Sequence, residues 1–251
     1  MSKLNLNTTL DYSPNFDKKK RITKQIKYII FHYTGMREEN AAIKKLKNFK
    51  SKVSCHYFIK SDGKILNLVP DLYIAWHAGI SSWRNKNYLN KNSIGIEISN
   101  PGHNFKYKKF SKKQIDSILK LSKYLINKYK IKKNSILGHS DISPDRKKDP
   151  GEKFPWEYLA KKKVGYWHNI DQKYLLKKRK IKTSSKEKIK FIKNLYKIGY
   201  SQNFKISQIK FTKIITKAFQ RRFRQSLINP KIDQECLSIS ENLVKKLDKF
   251  S

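Results

Sequence analysis

The stretch KYIIF, residues 27–31, runs directly into His32, and its reading decides the fold class. It is aromatic and β-branched and reads as a buried strand that ends at the histidine. Working outward, Ala42, Ile43, Leu46 and Phe49 recur at helical spacing within residues 41–49. His56 to Lys60 and Lys64 to Val69 flank Ser61-Asp62-Gly63 as the arms of a hairpin. SIGIEI, 93–98, alternates as a strand does, and Pro101-Gly102 closes it. Ser111 opens a helix, with Gln114 three residues on completing a capping-box pattern. That helix runs on to Tyr129. Ser135 to His139 is a further strand end, and residues 140–155 are irregular. Strands interleaved with helices over residues 20–160 predict an α/β domain.

Past that domain the pattern changes. Lys161 to Lys190 holds 12 basic and 2 acidic residues and reads as a solvated connector with room for one short helix. Three amphipathic segments follow: 189–198, ended by Gly199 as a C-cap; 210–224; and 233–250, with Asp233 as an N-cap. The expected division is a 1–20 extension, a 21–160 catalytic domain, a 161–188 linker and a 189–251 helical domain.

At 251 residues, with 38% hydrophobic and 12% aromatic content, the chain can bury a real core and is too apolar to be disordered. Its longest apolar run, Leu72 to Trp76, excludes a transmembrane helix in this sequence. Met1 to Lys20 is polar and shows no cleavable-signal pattern. Cys55 and Cys236 stand far apart and are expected as reduced thiols.

The charge is extreme: 58 lysines and arginines against 19 aspartates and glutamates, a formal +39. Residues to Trp156 carry 33 basic and 12 acidic groups, and the remainder 25 and 7, so the excess is spread along the chain. One reading is attraction to a polyanion. The other is coding bias, since only 8 of the 58 are arginine, the residue that dedicated nucleic-acid sites favour for its bidentate fork.

Among six histidines, three features form a set. His32 ends one strand, His139 ends another, and Asp149 lies in irregular chain before Pro150-Gly151. Two imidazoles and a carboxylate are a zinc set that leaves a fourth position open. Spacing alone does not distinguish this from a chance selection, and a lone histidine near a strand end is as a rule structural.

The strings FHYT (31–34), VSCHYFI (53–59), WHAG (76–79), SIGIEI (93–98), NPGH (100–103) and GHSDISPDRKKDPG (138–151) fall in order. Together they resemble the type-2 N-acetylmuramoyl-L-alanine amidases, zinc enzymes related to peptidoglycan-recognition proteins. The segments IGY (198–200), ITKAFQRRFR (215–224) and IDQECL (232–237) resemble the three-helix peptidoglycan-binding module of the AmiD-type branch, which AmpD-type relatives lack. The resemblance implies a mixed central β-sheet flanked by helices, plus a small C-terminal three-helix domain.

It also implies one zinc ion on His32, His139 and Asp149, Glu97 as catalytic acid–base group, and Lys147 as oxyanion stabiliser. Where some relatives carry a tyrosine near the site this chain has Cys55, read as a small buried residue, so the tyrosine's role falls to Glu97. Without the resemblance, Glu97 reads equally well as a salt-bridged strand residue. Tyr33, His77, Trp83, Arg84, Asn100 and His103 are candidate substrate contacts. Aromatic rings can stack on sugar, and the Arg84 fork suits a stem-peptide carboxylate.

The expected activity is hydrolysis of the amide between N-acetylmuramic acid, reducing or 1,6-anhydro, and L-alanine of peptidoglycan stem peptides. Expected partners are peptidoglycan or muropeptides, with non-specific attraction to anionic envelope polymers and no specific nucleic acid. The resemblance implies the cell envelope or secretion, and the visible N-terminus leaves the cytoplasm open. Two rival readings remain. One is a non-catalytic recognition module, which as a rule has lost zinc ligands. The other is a nucleic-acid binder, which needs its basic residues gathered in one stripe.

Overall fold

In chain order the strands are β1 (Thr9–Leu10), β2 (Phe16–Asp17), β3 (Tyr28–Tyr33), β4 (Tyr57–Ile59), β5 (Ile65–Asn67), β6 (Ile74–Ala75), β7 (Ser82–Trp83), β8 (Lys86–Asn87), β9 (Ser93–Ile98) and β10 (Ile136–Gly138). The helices are α1 (Glu39–Lys47), α2 (Lys112–Tyr129), α3 (His139–Ile142), α4 (Trp156–Lys161), α5 (Gln172–Arg179), α6 (Ser185–Ile198), α7 (Gln208–Phe223) and α8 (Gln234–Leu247). This computed structural model describes residues 6–202 and 205–247. Residues 1–5 of the expected extension and 248–250 of the last expected helix lie outside the described residues.

One mixed sheet of order β1-β5-β4-β9-β3-β10 organises the molecule. Strands β4, β9, β3 and β10 run parallel, so their carboxyl ends share one edge. On the other side β5 pairs antiparallel with β4, and β1 pairs parallel with β5. In such sheets ligands bind beyond the carboxyl ends of the parallel strands.

Period-2 alternation sorts the core. Ile29 and Phe31 of β3, with Ile94, Ile96 and Ile98 of β9, bury against Ile118, Leu121 and Leu125 of α2. The capping box of α2 forms as the sequence implies. Gln114 N donates to Ser111 Oγ at 3.2 Å, and Ser111 N to Gln114 Oε1 at 3.0 Å. Tyr28 and Ile30 of β3 and Leu137 of β10 face the opposite way. There they share one buried cluster with Phe191, Leu195, Ile215, Phe219 and Leu243 of the C-terminal helices.

That cluster changes the expected division of the chain. The C-terminal helices form a third layer on the sheet. Helix α5 lies inside the expected linker, with Leu175 buried in the same cluster, and α6 begins at Ser185, where Ser184 caps it. A lysine-rich segment can still carry one buried residue per turn, and charge counting does not reveal that. At the other end, β1 and β2 of the expected extension pair with β5 and β6.

Candidate metal centre and active-site cleft

Register places the chemistry. His32 of β3 lies beside Glu97 of β9, and both follow the alternation that puts them on one face at the carboxyl edge. Gly138, last residue of β10, pairs with Phe31, so His139 emerges one step beyond, next to His32. The chain then folds back on itself. Lys147 N donates to Ser143 O at 2.9 Å and Ser140 N to Asp149 O at 2.8 Å, returning Asp149 to the histidine it left ten residues earlier.

The three side chains converge. His32 Nδ1 lies 2.9 Å from His139 Nδ1, and each lies 3.0 Å from Asp149 Oδ2. All three residues are buried. The surrounding bonds assign the tautomers. His139 Nε2–H donates to Ala78 O at 3.2 Å, which leaves Nδ1 as a lone pair. His32 Nε2–H donates to His77 Nδ1 at 3.0 Å, His77 Nε2–H to Ser93 Oγ at 3.2 Å, and Ser93 Oγ–H to Leu89 O at 2.6 Å. Two lone pairs and a carboxylate oxygen therefore meet at one point with every other ring nitrogen committed. That donor set fits a divalent cation that takes nitrogen and oxygen ligands, zinc foremost. Among the described residues it is the one group of this kind.

The charges behave as a set made for a cation. Burial would raise the Asp149 carboxyl, and while no cation is bound a ring proton of His139 or His32 facing it overrides burial by charge and hydrogen bond and holds it far below the usual carboxylate range. Burial lowers His32 to about 4, with the neighbouring His139 adding to the effect. Burial pushes the Glu97 carboxyl up to about 8, reinforced by the Asp149 charge. Glu97 Oε2 is buried without a hydrogen-bond partner. Beneath it, Cys55 is fully buried, its thiol pushed well up by burial and by the Glu97 charge, so it is inert packing.

His32, Glu97, His139 and Asp149 line a cleft of about 440 Å³. Lys147 lines it too, and its charge acts on both Glu97 and His32. Tyr33 and His103 form one wall. Tyr33 OH donates to His103 Nδ1 at 2.8 Å, His103 Nε2–H donates to Glu152 Oε2 at 3.0 Å, and His103 stacks on Tyr107. His77 borders the cleft, but both its ring nitrogens serve His32 and Ser93, so it braces a ligand. Gly95 makes room for that ring, since a Cβ there would sit 2.3 Å from His77 Cγ.

Three candidate contacts stand elsewhere. Trp83 is 1% exposed and packs on Tyr200 at 5.0 Å and over Gly199, whose φ is +139°. Arg84 N donates to Gly199 O at 2.8 Å, in the seam with the C-terminal helices. Asn100 is buried, its Nδ2 donating to Lys108 O and its Oδ1 accepting from Gly102 N. All three hold chain together, which sequence does not reveal because their partners are distant or are backbone. Sequence reasoning passed over Lys45, Trp76, Arg146 and Lys148, which also line the cleft. The run RKK at 146–148 was the visible signal for two of them.

Comparison with known proteins follows the same line. Residues 22–152 match the family described as N-acetylmuramoyl-L-alanine amidase. The chain is 33% identical over 234 residues to N-acetylmuramoyl-L-alanine amidase AmiD of Escherichia coli, covering 88% of this chain and 83% of that protein. It is 32% identical over 167 residues to 1,6-anhydro-N-acetylmuramyl-L-alanine amidase AmpD of Haemophilus influenzae, covering 59% and 88%. Among solved structures, E. coli AmiD in complex with the substrate anhydro-N-acetylmuramic acid-L-Ala-D-gamma-Glu-L-Lys superposes with a TM-score of 0.79 at 30% identity, over 92% of this chain and 93% of that one. AmpDh3 of Pseudomonas aeruginosa in complex with anhydromuramic pentapeptide gives 0.78 at 27% identity, over 95% and 98%.

Proposed function

The chain belongs to the N-acetylmuramoyl-L-alanine amidase family, and from that premise we propose that its cleft takes 1,6-anhydro-muramyl peptides and cuts the bond between the lactyl group and L-alanine with one zinc ion. The observation that carries the reading is the meeting of His32 Nδ1, His139 Nδ1 and Asp149 Oδ2 on the cleft floor, with Glu97 beside them.

His32, His139 and Asp149 would hold the ion. Zinc there supplies Lewis acidity and lowers the pKa of a water to about 7. Glu97 accepts the proton of the attacking water and returns it to the departing L-alanine nitrogen. Its burial suits that double duty, because a carboxyl pushed up to about 8 takes a proton readily, and a dication nearby would draw it down toward neutrality, where it also gives the proton back. Lys147, an ammonium on the same cleft, balances charge growing on the carbonyl oxygen. Tyr33 and His103 keep that wall rigid through their bonded chain to Glu152. Lys45, Arg146 and Lys148 offer cations to the carboxylates of a stem peptide.

On this reading the protein works in the cell envelope or outside the cell, where the diffuse positive charge adds salt-sensitive attraction to anionic polymers. The test is mass spectrometry of an anhydromuramyl tripeptide incubated with the protein, with chelator, with chelator followed by zinc, and with Glu97→Ala. Free tripeptide is expected, abolished by chelator, restored by zinc and absent with Glu97→Ala. Bound but uncut ligand in every sample would make this a recognition protein.

A further inference from the structure

Helix α7 ends in Arg221, Arg222 and Phe223, with Arg224 as its C-cap, and Arg222 lies on the helix's buried stripe. Phe211, Ile215, Ala218, Phe219, Arg222 and Phe223 follow core spacing, and Arg222 is 2% exposed. Its guanidinium lies 4.5 Å from the centre of the Trp156 ring and 4.9 Å from that of Phe223. Nη1 donates to Asp141 Oδ2 at 2.5 Å and Nη2 to Ile136 O at 2.8 Å. Asp141 is equally buried. Its Oδ2 also accepts from Gly138 N at 2.8 Å, and its Oδ1 accepts from Tyr200 OH at 2.8 Å.

These contacts surround His139. Ile136 stands three residues before it and Asp141 two residues after, in the single turn His139–Ile142 that presents the imidazole. One planar fork therefore grips the backbone before the histidine and the carboxylate that caps the turn after it.

We propose that Arg222 is a positioning residue of the metal centre, fixing His139 through Asp141, so that the C-terminal helical layer is part of the site as well as part of the wall around it. This rests on the reading of His139 as a metal ligand. Packing does not account for the arginine. An apolar side chain of similar volume would follow the same stripe, and a buried ion pair as a rule adds no stability over well-packed apolar residues. An ion pair does supply a fixed direction. Arginine's two parallel donors set the angle between carbonyl and carboxylate, which a lysine ammonium does not do. Groups behind a metal-bound histidine orient it, and their loss as a rule weakens metal binding roughly 10–100-fold.

The test uses the full chain stripped of metal, with zinc affinity read by competition against a chromophoric chelator and the visible spectrum read after cobalt(II) substitution. The variants are Arg222→Lys, Arg222→Met, the paired Arg222→Met and Asp141→Asn, Leu243→Ala and His139→Ala. Arg222→Lys is expected to weaken zinc roughly 10–100-fold and to shift the cobalt bands. Leu243→Ala, a core truncation on α8, is expected to lower the melting temperature while leaving both metal readouts intact. The paired variant, which strands no charge, is expected to behave as Arg222→Lys does and keeps the test open should Arg222→Met fail to fold.

Wild-type affinity and spectrum in folded Arg222→Lys and in the paired variant would overturn the proposal. So would an equal loss of metal in Leu243→Ala. If His139→Ala leaves zinc affinity unchanged, the metal centre itself is misassigned and this inference falls with it. If His139→Ala abolishes binding and Arg222→Lys does not weaken it, only the positioning role falls.

Discussion

Glu97→Gln should make the metal-free protein more stable at alkaline pH while removing its activity. The Glu97 carboxyl sits near 8 in the folded chain, raised by burial and by Asp149 from its ordinary 4.5. Below pH 4.5 it is protonated whether the chain is folded or not, and costs nothing. Between 4.5 and about 8 the unfolded chain has lost that proton and the folded chain keeps it, so stability falls as pH rises. Above 8 the folded protein carries a buried, unpartnered carboxylate. The displacement sets a ceiling of about 5 kcal/mol. Glu97 is partly open to the cleft, and water there reduces the expected cost to about 2–3 kcal/mol. Glutamine has the same shape and no charge to lose. Urea unfolding of both proteins in chelator, at pH 4.5 and 8.5, measures the difference directly. His32 and Asp149 titrate in both chains and cancel. The variant should gain about 2–3 kcal/mol on wild type between the two pH values, with equal denaturant slopes. In the zinc-loaded protein it should lose roughly 100- to 10,000-fold in turnover. A gap that does not change with pH, or one that favours wild type at pH 8.5, would refute the claim that burial sets this carboxyl.

Gly95→Ala drives a Cβ into the His77 ring and through it disturbs His32, so zinc affinity should fall roughly 10–100-fold by chelator competition, and unchanged affinity would disconnect His77 from the site. Truncation to residues 1–184 bares Tyr28, Ile30, Trp83, Leu89 and Leu137. At about 1.5–3 kcal/mol for each large apolar side chain, the loss rivals the whole stability of a domain. The fragment should aggregate or bind a hydrophobic dye, and a soluble, cooperatively melting fragment would restore the picture of a detachable module. Binding to an anionic wall polymer should weaken steeply between 50 and 200 mM salt, whereas cleavage of a small soluble muramyl peptide should change far less. Equal salt sensitivity in the two assays would remove any separate role for the diffuse charge.

What could be read from sequence was whatever depends on near neighbours. Alternation in KYIIFH and SIGIEI marks buried strands, and once the strands pair in register the same alternation puts His32 and Glu97 on one face. Ser111 and Gln114 signal their helix because a capping box is local. Trp83 and Arg84 misled because an aromatic beside an arginine is what a sugar-and-carboxylate groove offers. Their partners, Gly199 and Tyr200, lie more than a hundred residues on, and no periodicity links them. The same distance hid the union of the two halves. Amphipathic spacing says which side of a helix is buried and is silent about what covers it.

Arg222 shows how that gap can be narrowed. Arg224, just past the helix, is also buried, paired with Asp233 and Glu235 close by in the chain. Arg222 alone shares helical phase with Ile215, Ala218 and Phe219. A charge on the apolar stripe of a helix predicts a buried partner, since an unpaired guanidinium in a core is prohibitively costly. With 19 acidic residues in the chain the candidates are few. Asp141, within GHSDISPDRKKDPG, carries no such mark in the sequence, and the fold alone identifies it as the partner. The arginine's phase on α7 is therefore a signal in the sequence, and its partner needed the fold. Basic residues on polar faces are best read as solvated, and the few that break helical phase are where a lysine-rich sequence still carries specific information.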